Sequence, residues 1–270
     1  MMAGAAGGSG FVGACLVRQP ILTRLGLLFL ALAVPAAAGL VVDVRTVAGD
    51  SAWLKPGKFL LSLSLYAFTM AWFYGYVAEE RRAAPAHRAL VATVVATSLF
   101  EALYIALQAA RGQLSHFNVS DGFHSMMYSL MGLGALALTA TAPWLAREIA
   151  RHGTPDLSPV MRRALILGLT LTFVLGVPPA ILMGAHLGHA VGGEPGGATL
   201  PLLGWARTGG DLRPAHFIGI HAMQAIPLLG WAVARRADGV RFVTWGAILY
   251  SAVTLAVLAQ ALMGLPLFPA

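Results

Sequence analysis

Charge is scarce in this chain. Asp, Glu, Lys and Arg together supply 11% of its 270 residues, against about 25% in soluble globular proteins. Cysteine occurs once, at Cys15, so no internal disulfide framework exists and the redox compartment is not readable. Lysine occurs only at Lys55 and Lys58, and the last apolar segment has none, which removes a retinal Schiff base. There is no Walker A loop, GxGxxG turn, CxxC, CxxCH or GxSxG elbow. Nucleotide hydrolysis, covalent haem attachment and serine-hydrolase chemistry are therefore without support. Period-two alternation, the mark of a membrane barrel, is missing, and paired broken-helix repeats are not visible.

What fills the chain is apolar. Hydrophobic types reach 58%, and the mean hydropathy is +0.74. This excludes a soluble enzyme, a disulfide scaffold and a disordered chain, and predicts an all-α polytopic membrane protein. The formal charge of +7 does not point to nucleic acid. The arginines sit between apolar runs without forming a basic block, where membrane orientation and lipid headgroups account for them.

A hydrocarbon core of about 30 Å takes about 20 helical residues. Seven segments qualify, at roughly 21–42, 59–78, 88–110, 122–143, 164–185, 214–234 and 241–263. The count falls to six if residues 1–38 are a cleaved signal, which Arg18, Arg24 and the Ala36-Ala37-Ala38-Gly39 run would suit. The long leader and the continuation through Leu40-Val41-Val42 favour a retained helix. Twelve Lys and Arg fall on one side of this arrangement and six on the other. The N-terminus is thus expected in the cytoplasm and the C-terminus outside, in a bacterial inner (plasma) membrane. Residues 1–20 read as a cytoplasmic segment and 21–270 as one helical bundle. Its one long outer loop, 186–213, is rich in Gly and Pro, and loops of such length are functional lids or disordered.

Polar residues at apolar depth mark the expected site. Glu101 lies ten residues from Arg111, hence about 15 Å along the helix, where an ionised carboxylate is expensive unless paired. Tyr104 and Gln108 continue its face at i+3 and i+7, and Arg111, Ser115 and His116 carry the stripe outward. The sixth segment opens Asp211-Leu-Arg-Pro-Ala-His-Phe-Ile-Gly-Ile-His-Ala-Met-Gln224. His216 falls in its first turn, where the helix dipole favours a neutral ring, and His221 and Gln224 lie deeper as neighbours. His216 and His221, five apart on a continuous helix, point about 140° apart. The fourth segment begins Ser120-Asp121-Gly-Phe-His124, with Tyr128 one turn in and a thin face at Gly132 and Gly134. His186, His189 and Glu194 have a spacing able to hold a metal at an interface. Asn118-Val-Ser120 is a glycosylation sequon by pattern.

Three functions fit one outward-opening pocket. The first is a redox protein holding non-covalent haem b between His124 and His221, with His216 able to replace either. Arg111, Arg213, Lys55 and Lys58 would pair with propionates, and Glu101, Tyr104 and Gln108 would handle protons. The second is a proton-coupled transporter or receptor, in which Glu101, Tyr104, Gln108 and Gln224 bind a small polar or cationic molecule. The third is a zinc-dependent hydrolase of membrane lipid, with His124, His216 and His221 as ligands and Glu101 or Asp121 as base. Ser120-x3-His124 with Asp121 resembles, over five residues, part of the pattern of the alkaline ceramidases, which are also seven-helix membrane enzymes. Four residues separate His216 from His221, where that family has a shorter interval and places the pair in its last helix.

Overall fold

Helices account for nearly all the ordered backbone in the computed structural model, which describes residues 10–193 and 197–270. In chain order they are α1 (Phe11–Arg18), α2 (Pro20–Val42), α3 (Leu54–Tyr74), α4 (Glu79–Arg82), α5 (Pro85–Ala110), α6 (Gly122–His152), α7 (Pro159–Ala185), α8 (Leu212–Ile220), α9 (Ala222–Ala232) and α10 (Gly239–Leu262). Two antiparallel pairs interrupt them: β1 (Thr46–Val47) with β2 (Asp50–Ser51), and β3 (Ala190–Val191) with β4 (Gly210–Asp211). Among the described residues no sheet closes. Five helices, α2, α5, α6, α7 and α10, are long and apolar enough to cross a membrane. Large side chains such as Leu103, Leu133, Trp245 and Leu249 stand exposed along the helices, as they must where lipid is the solvent. The chain is an all-α integral membrane protein.

The chain forms two compact units that divide within α6, at Thr141 and Ala142. The first holds α1 to α5 and the start of α6. Sequence sets its helix starts: Pro20 and Pro85 occupy first-turn positions whose amide needs no partner, and the Gln19 side chain caps α2 by accepting from Ile21 N at 2.8 Å. Gly26 lets α2 approach α3, since a Cβ there would stand 2.9 Å from the Phe68 ring, and Ser64 Oγ donates to the Gly26 carbonyl at 2.9 Å. Arg18 closes the C-terminus of α3, donating to Trp72 O at 2.8 Å while its guanidinium lies 4.0 Å from the Trp72 ring. The expected N-terminal segment 1–20 therefore contains a helix, α1; residues 1–9 lie outside the described residues.

The fourth expected segment ends at Pro143, yet α6 runs on to His152. An interior proline removes one helix bond, and hydroxyls serve the backbone beside it. Thr141 Oγ1 donates to Leu138 O at 2.6 Å and Tyr66 OH reaches the same carbonyl at 2.9 Å.

In the second unit α7 packs against α8, α9 and α10. Glycines set the α7 contact: a Cβ on Gly219 would lie 2.6 Å from Leu175 backbone atoms, and one on Gly176 would lie 2.7 Å from Ile220. The sixth expected segment is not one helix. It breaks at His221, whose φ of −89° and ψ of 3° leave the helical path. Thr172 of α7 seals the gap: its hydroxyl accepts from Met223 N at 2.9 Å and donates to Gly168 O at 3.0 Å.

The described part of loop 186–213 is built around Asp211 rather than lying loose. Asp211 accepts from Ala206 N at 2.8 Å and Arg213 N at 2.9 Å, and pairs with the Arg213 guanidinium at 2.6 Å. The β3–β4 bonds hold the two ends of the loop together, and the charge pair fixes the end at Asp211.

Gly219→Ala is expected to lower the melting temperature in detergent, because only backbone faces the added methyl and overpacking costs about 1–3 kcal/mol. Gly132→Ala, with nothing within 4 Å of the new Cβ, should leave it unchanged.

Candidate functional site

Glu101, Tyr104 and Gln108 all turn inward from α5, with only 3%, 4% and 1% of their surfaces exposed. Glu101 thus faces protein rather than acyl chains. Its Oε1 has no hydrogen-bond partner among the described residues, and neither has the Tyr104 hydroxyl. Gln108 is spent on structure: its Nε2 donates to Leu114 O at 3.1 Å and ties down the loop after α5.

Gly134 of α6 makes room for the carboxyl, since a Cβ there would sit 3.4 Å from Glu101 Oε1 and 3.7 Å from Phe100. The thin face expected to admit a flat cofactor is, at Gly134, occupied by Glu101 and Phe100. Tyr104 and Ile105 pack with Met131, flanked by Phe59, Phe100 and Met127.

Lys55, in the first turn of α3, supplies the positive charge. It interacts electrostatically with both Glu101 and His116. Its ammonium lies 5.9 Å from the Phe59 ring, whose centroid is 5.5 Å from that of His116. Burial, reinforced by the Lys55 charge, lowers the His116 pKa to about 3, so the ring stays neutral near pH 7. Ser115 Oγ lies 3.2 Å from its Nδ1. The sequence reading assigned Lys55 to cofactor propionates and missed this pairing. The available signal was its position at the start of one apolar segment, the end that an alternating arrangement of helices puts beside the end of α5 toward which the Glu101 stripe leads.

At the start of α6, Asp121 serves two purposes. Its Oδ1 accepts from His124 N at 2.9 Å, capping the helix, and its Oδ2 lies 2.6 Å from His124 Nδ1. Hydrogen bonds from the His124 backbone and then its ring hold the Asp121 carboxyl below the ordinary range. It is therefore ionised, and Nδ1 must be the donor. Nε2, on the other side of the ring, is buried without a partner among the described residues. A carboxylate that bonds an imidazole at Nδ1 fixes the ring's orientation, as the partners of metal-ligating histidines do. Asp121 and Arg111 both act electrostatically on Tyr104, which links this pair to the α5 stripe. Beside them is an apolar recess of about 180 Å³ lined by residues that include Tyr104, Phe123 and Met127.

The remaining expected residues fall in the second unit. His216 Nδ1 donates to Gly176 O at 2.8 Å, which leaves Nε2 with the lone pair. His221 sits in the break between α8 and α9, its ring centroid 4.2 Å from that of Phe217, so the angle expected for a continuous helix does not apply to it. His221 O accepts from Gln224 N at 3.0 Å within the first turn of α9. Arg213 is committed to Asp211 and to the Gly204 carbonyl, while Arg111 is the exposed C-cap of α5 in the first unit. Glu194 lies outside the described residues, where the group with His186 and His189 is incomplete. Among the described residues no three of His, Cys, Asp and Glu gather as a metal would require. No family model, curated protein or solved structure matches the chain.

His116 gives the fold a pH dependence. The unfolded ring takes up a proton near pH 6.5 and the folded one only near 3, so stability falls as pH drops across that interval. Melting curves from pH 7 to 4 should show this slope, and His116→Gln should flatten it.

Proposed function

We propose that this membrane protein binds a small polar ligand at the Glu101 site and couples that binding to proton movement. In this reading the chain has seven spans, α3 and the α8–α9 segment completing the five long apolar helices. Its N-terminus lies in the cytoplasm, as the Lys and Arg excess favours. One observation carries the reading: a carboxyl enclosed among lipid-spanning helices, with Lys55 in electrostatic range and an oxygen left without a hydrogen bond. Buried polar atoms are rarely left unpaired, and intramembrane carboxyls lie on proton and ion paths. Tyr104 OH, one turn further along α5, adds a second unpartnered donor or acceptor. Together these groups suit a molecule that both donates and accepts hydrogen bonds. The Lys55 and Glu101 charges offset each other, which favours a neutral or zwitterionic ligand over a cation.

Purified protein in vesicles, with a pH-sensitive dye inside and an imposed pH gradient, tests the coupling. Glu101→Gln is expected to reduce proton flux at least tenfold while leaving the circular dichroism and melting temperature close to wild type. Undiminished flux in a folded variant overturns the reading.

A second reading, non-covalent haem b, has its own support in His124, whose Nδ1 is engaged by Asp121 and whose Nε2 is buried without a partner. An imidazole held at Nδ1 by a carboxylate presents Nε2 as the coordinating atom, the arrangement in which ligating histidines are held. Haem, when bound, would supply one-electron chemistry. Protein purified from haem-replete cells should then show a Soret band that weakens in His124→Ala. A colourless preparation rejects it.

A further inference from the structure

At the end of α5 remote from Glu101, a groove of about 490 Å³ runs between α2, the end of α3 and the first turns of α5. Its two ends differ in chemistry. Arg82, His87 and Arg88 line one end, and Val91, Ala92, Val95 and Ala96 continue it along α5. The apolar four recur at i, i+1, i+4 and i+5, which places them on one stripe of the helix. No carboxylate lines the groove; Glu79 and Glu80, the nearest acids in sequence, lie on α4 outside it.

The cationic end is organised in advance. Arg82 Nε donates to Val77 O and Nη2 to Gly75 O, both at 2.9 Å, so the guanidinium is fixed against the C-terminus of α3 with Nη1 still available. Tyr74 OH donates to Arg82 O at 3.0 Å and holds the backbone beneath it. The Tyr74 and His87 rings meet edge to face at 5.5 Å, forming a rigid wall. Arg88 stands exposed in the first turn of α5. A fixed guanidinium next to an exposed one, at the head of an apolar channel, matches a phosphate group joined to a hydrocarbon chain.

We infer that this groove is a binding site for a single anionic phospholipid, its phosphate between Arg82 and Arg88 and one acyl chain along Val91 and Val95. Charge complementarity selects this occupant. A zwitterionic lipid brings a cationic headgroup to two arginines, and a neutral apolar molecule leaves both unmatched. The site stands apart from Glu101 and does not depend on the function proposed for it.

The test is thermal stability of the full chain in a neutral detergent, titrated with phosphatidylglycerol, phosphatidylcholine or inorganic phosphate. Phosphatidylglycerol should raise the melting temperature by on the order of 5 °C, and the other two should not. Arg88→Gln should move the phosphatidylglycerol midpoint at least threefold higher. Val95→Trp, which fills the channel and leaves the arginines intact, should abolish the shift. Arg82→Gln also removes bonds to α3 and is read only against its own lipid-free melting temperature. Equal stabilisation by phosphatidylcholine overturns the headgroup assignment. An equal shift with phosphate alone shows a free-anion site and overturns the lipid. An unaltered response in both Arg88→Gln and Val95→Trp places any lipid elsewhere.

Discussion

Lipid offers no water to a polar group, and most of this structure answers that constraint. Backbone amides and carbonyls must find partners within the protein, and a carboxyl at depth must find a cation, a proton or a ligand. Glu101 is the point of greatest demand. Around it the chain provides a small residue on α6 to make space, aromatic and methionine side chains to exclude lipid, and one lysine to offset charge. The polar atoms of α5, the loop after it and the start of α6 divide into two kinds. Gln108, Ser115 and Asp121 are bonded to the protein and hold loops and helix ends in place. Glu101 Oε1, Tyr104 OH and His124 Nε2 are left over, and all three belong to α5 or the adjoining start of α6.

The same constraint explains the backbone irregularities. At His221 a helix loses a ladder bond and a hydroxyl from a neighbouring helix, Thr172, takes its place; before Pro143 the Tyr66 hydroxyl adds a bond to Leu138 O. Arg18 and Arg45 do comparable work at helix ends, one donating to the last turn of α3 and the other to Ala110 O at 2.9 Å. Arginine suits these positions because several donors on one rigid plane can reach carbonyls while the stem crosses apolar surface.

Hydropathy made much of the architecture legible. Five of the seven segments expected from apolar length fall on helices able to cross a bilayer, α3 covers most of the second, and the sixth is divided between α8 and α9; a run of about 20 apolar residues has few other options in a bilayer. The inward face of Glu101, Tyr104 and Gln108 was equally readable from their spacing. What escaped was interaction between distant parts of the sequence. Nothing local to Lys55 shows that it meets Glu101, 46 residues on in the chain. The break at His221 depends on Thr172, whose own surroundings read as uninterrupted helix. The order in the loop after α7 escaped for a related reason, since composition rich in Gly and Pro conceals a single buried aspartate that gathers amides from both directions. The identity of the ligand escaped too, because the donors that would recognise it carry no motif.

The seal at Thr172 has a mechanical consequence. An unbroken helix resists bending through a whole series of bonds in parallel, so no single side chain governs its stiffness. Here α8 and α9 each keep their own ladder, and the joint between them is closed chiefly by one methyl-bearing alcohol borrowed from α7. Flexing at that joint strains the Thr172 bond and the close α7 packing at Gly176 and Gly219 rather than a continuous ladder. His216, anchored to α7 on one side of the elbow, and Gln224, carried by the other side, are the two ends of the lever it creates.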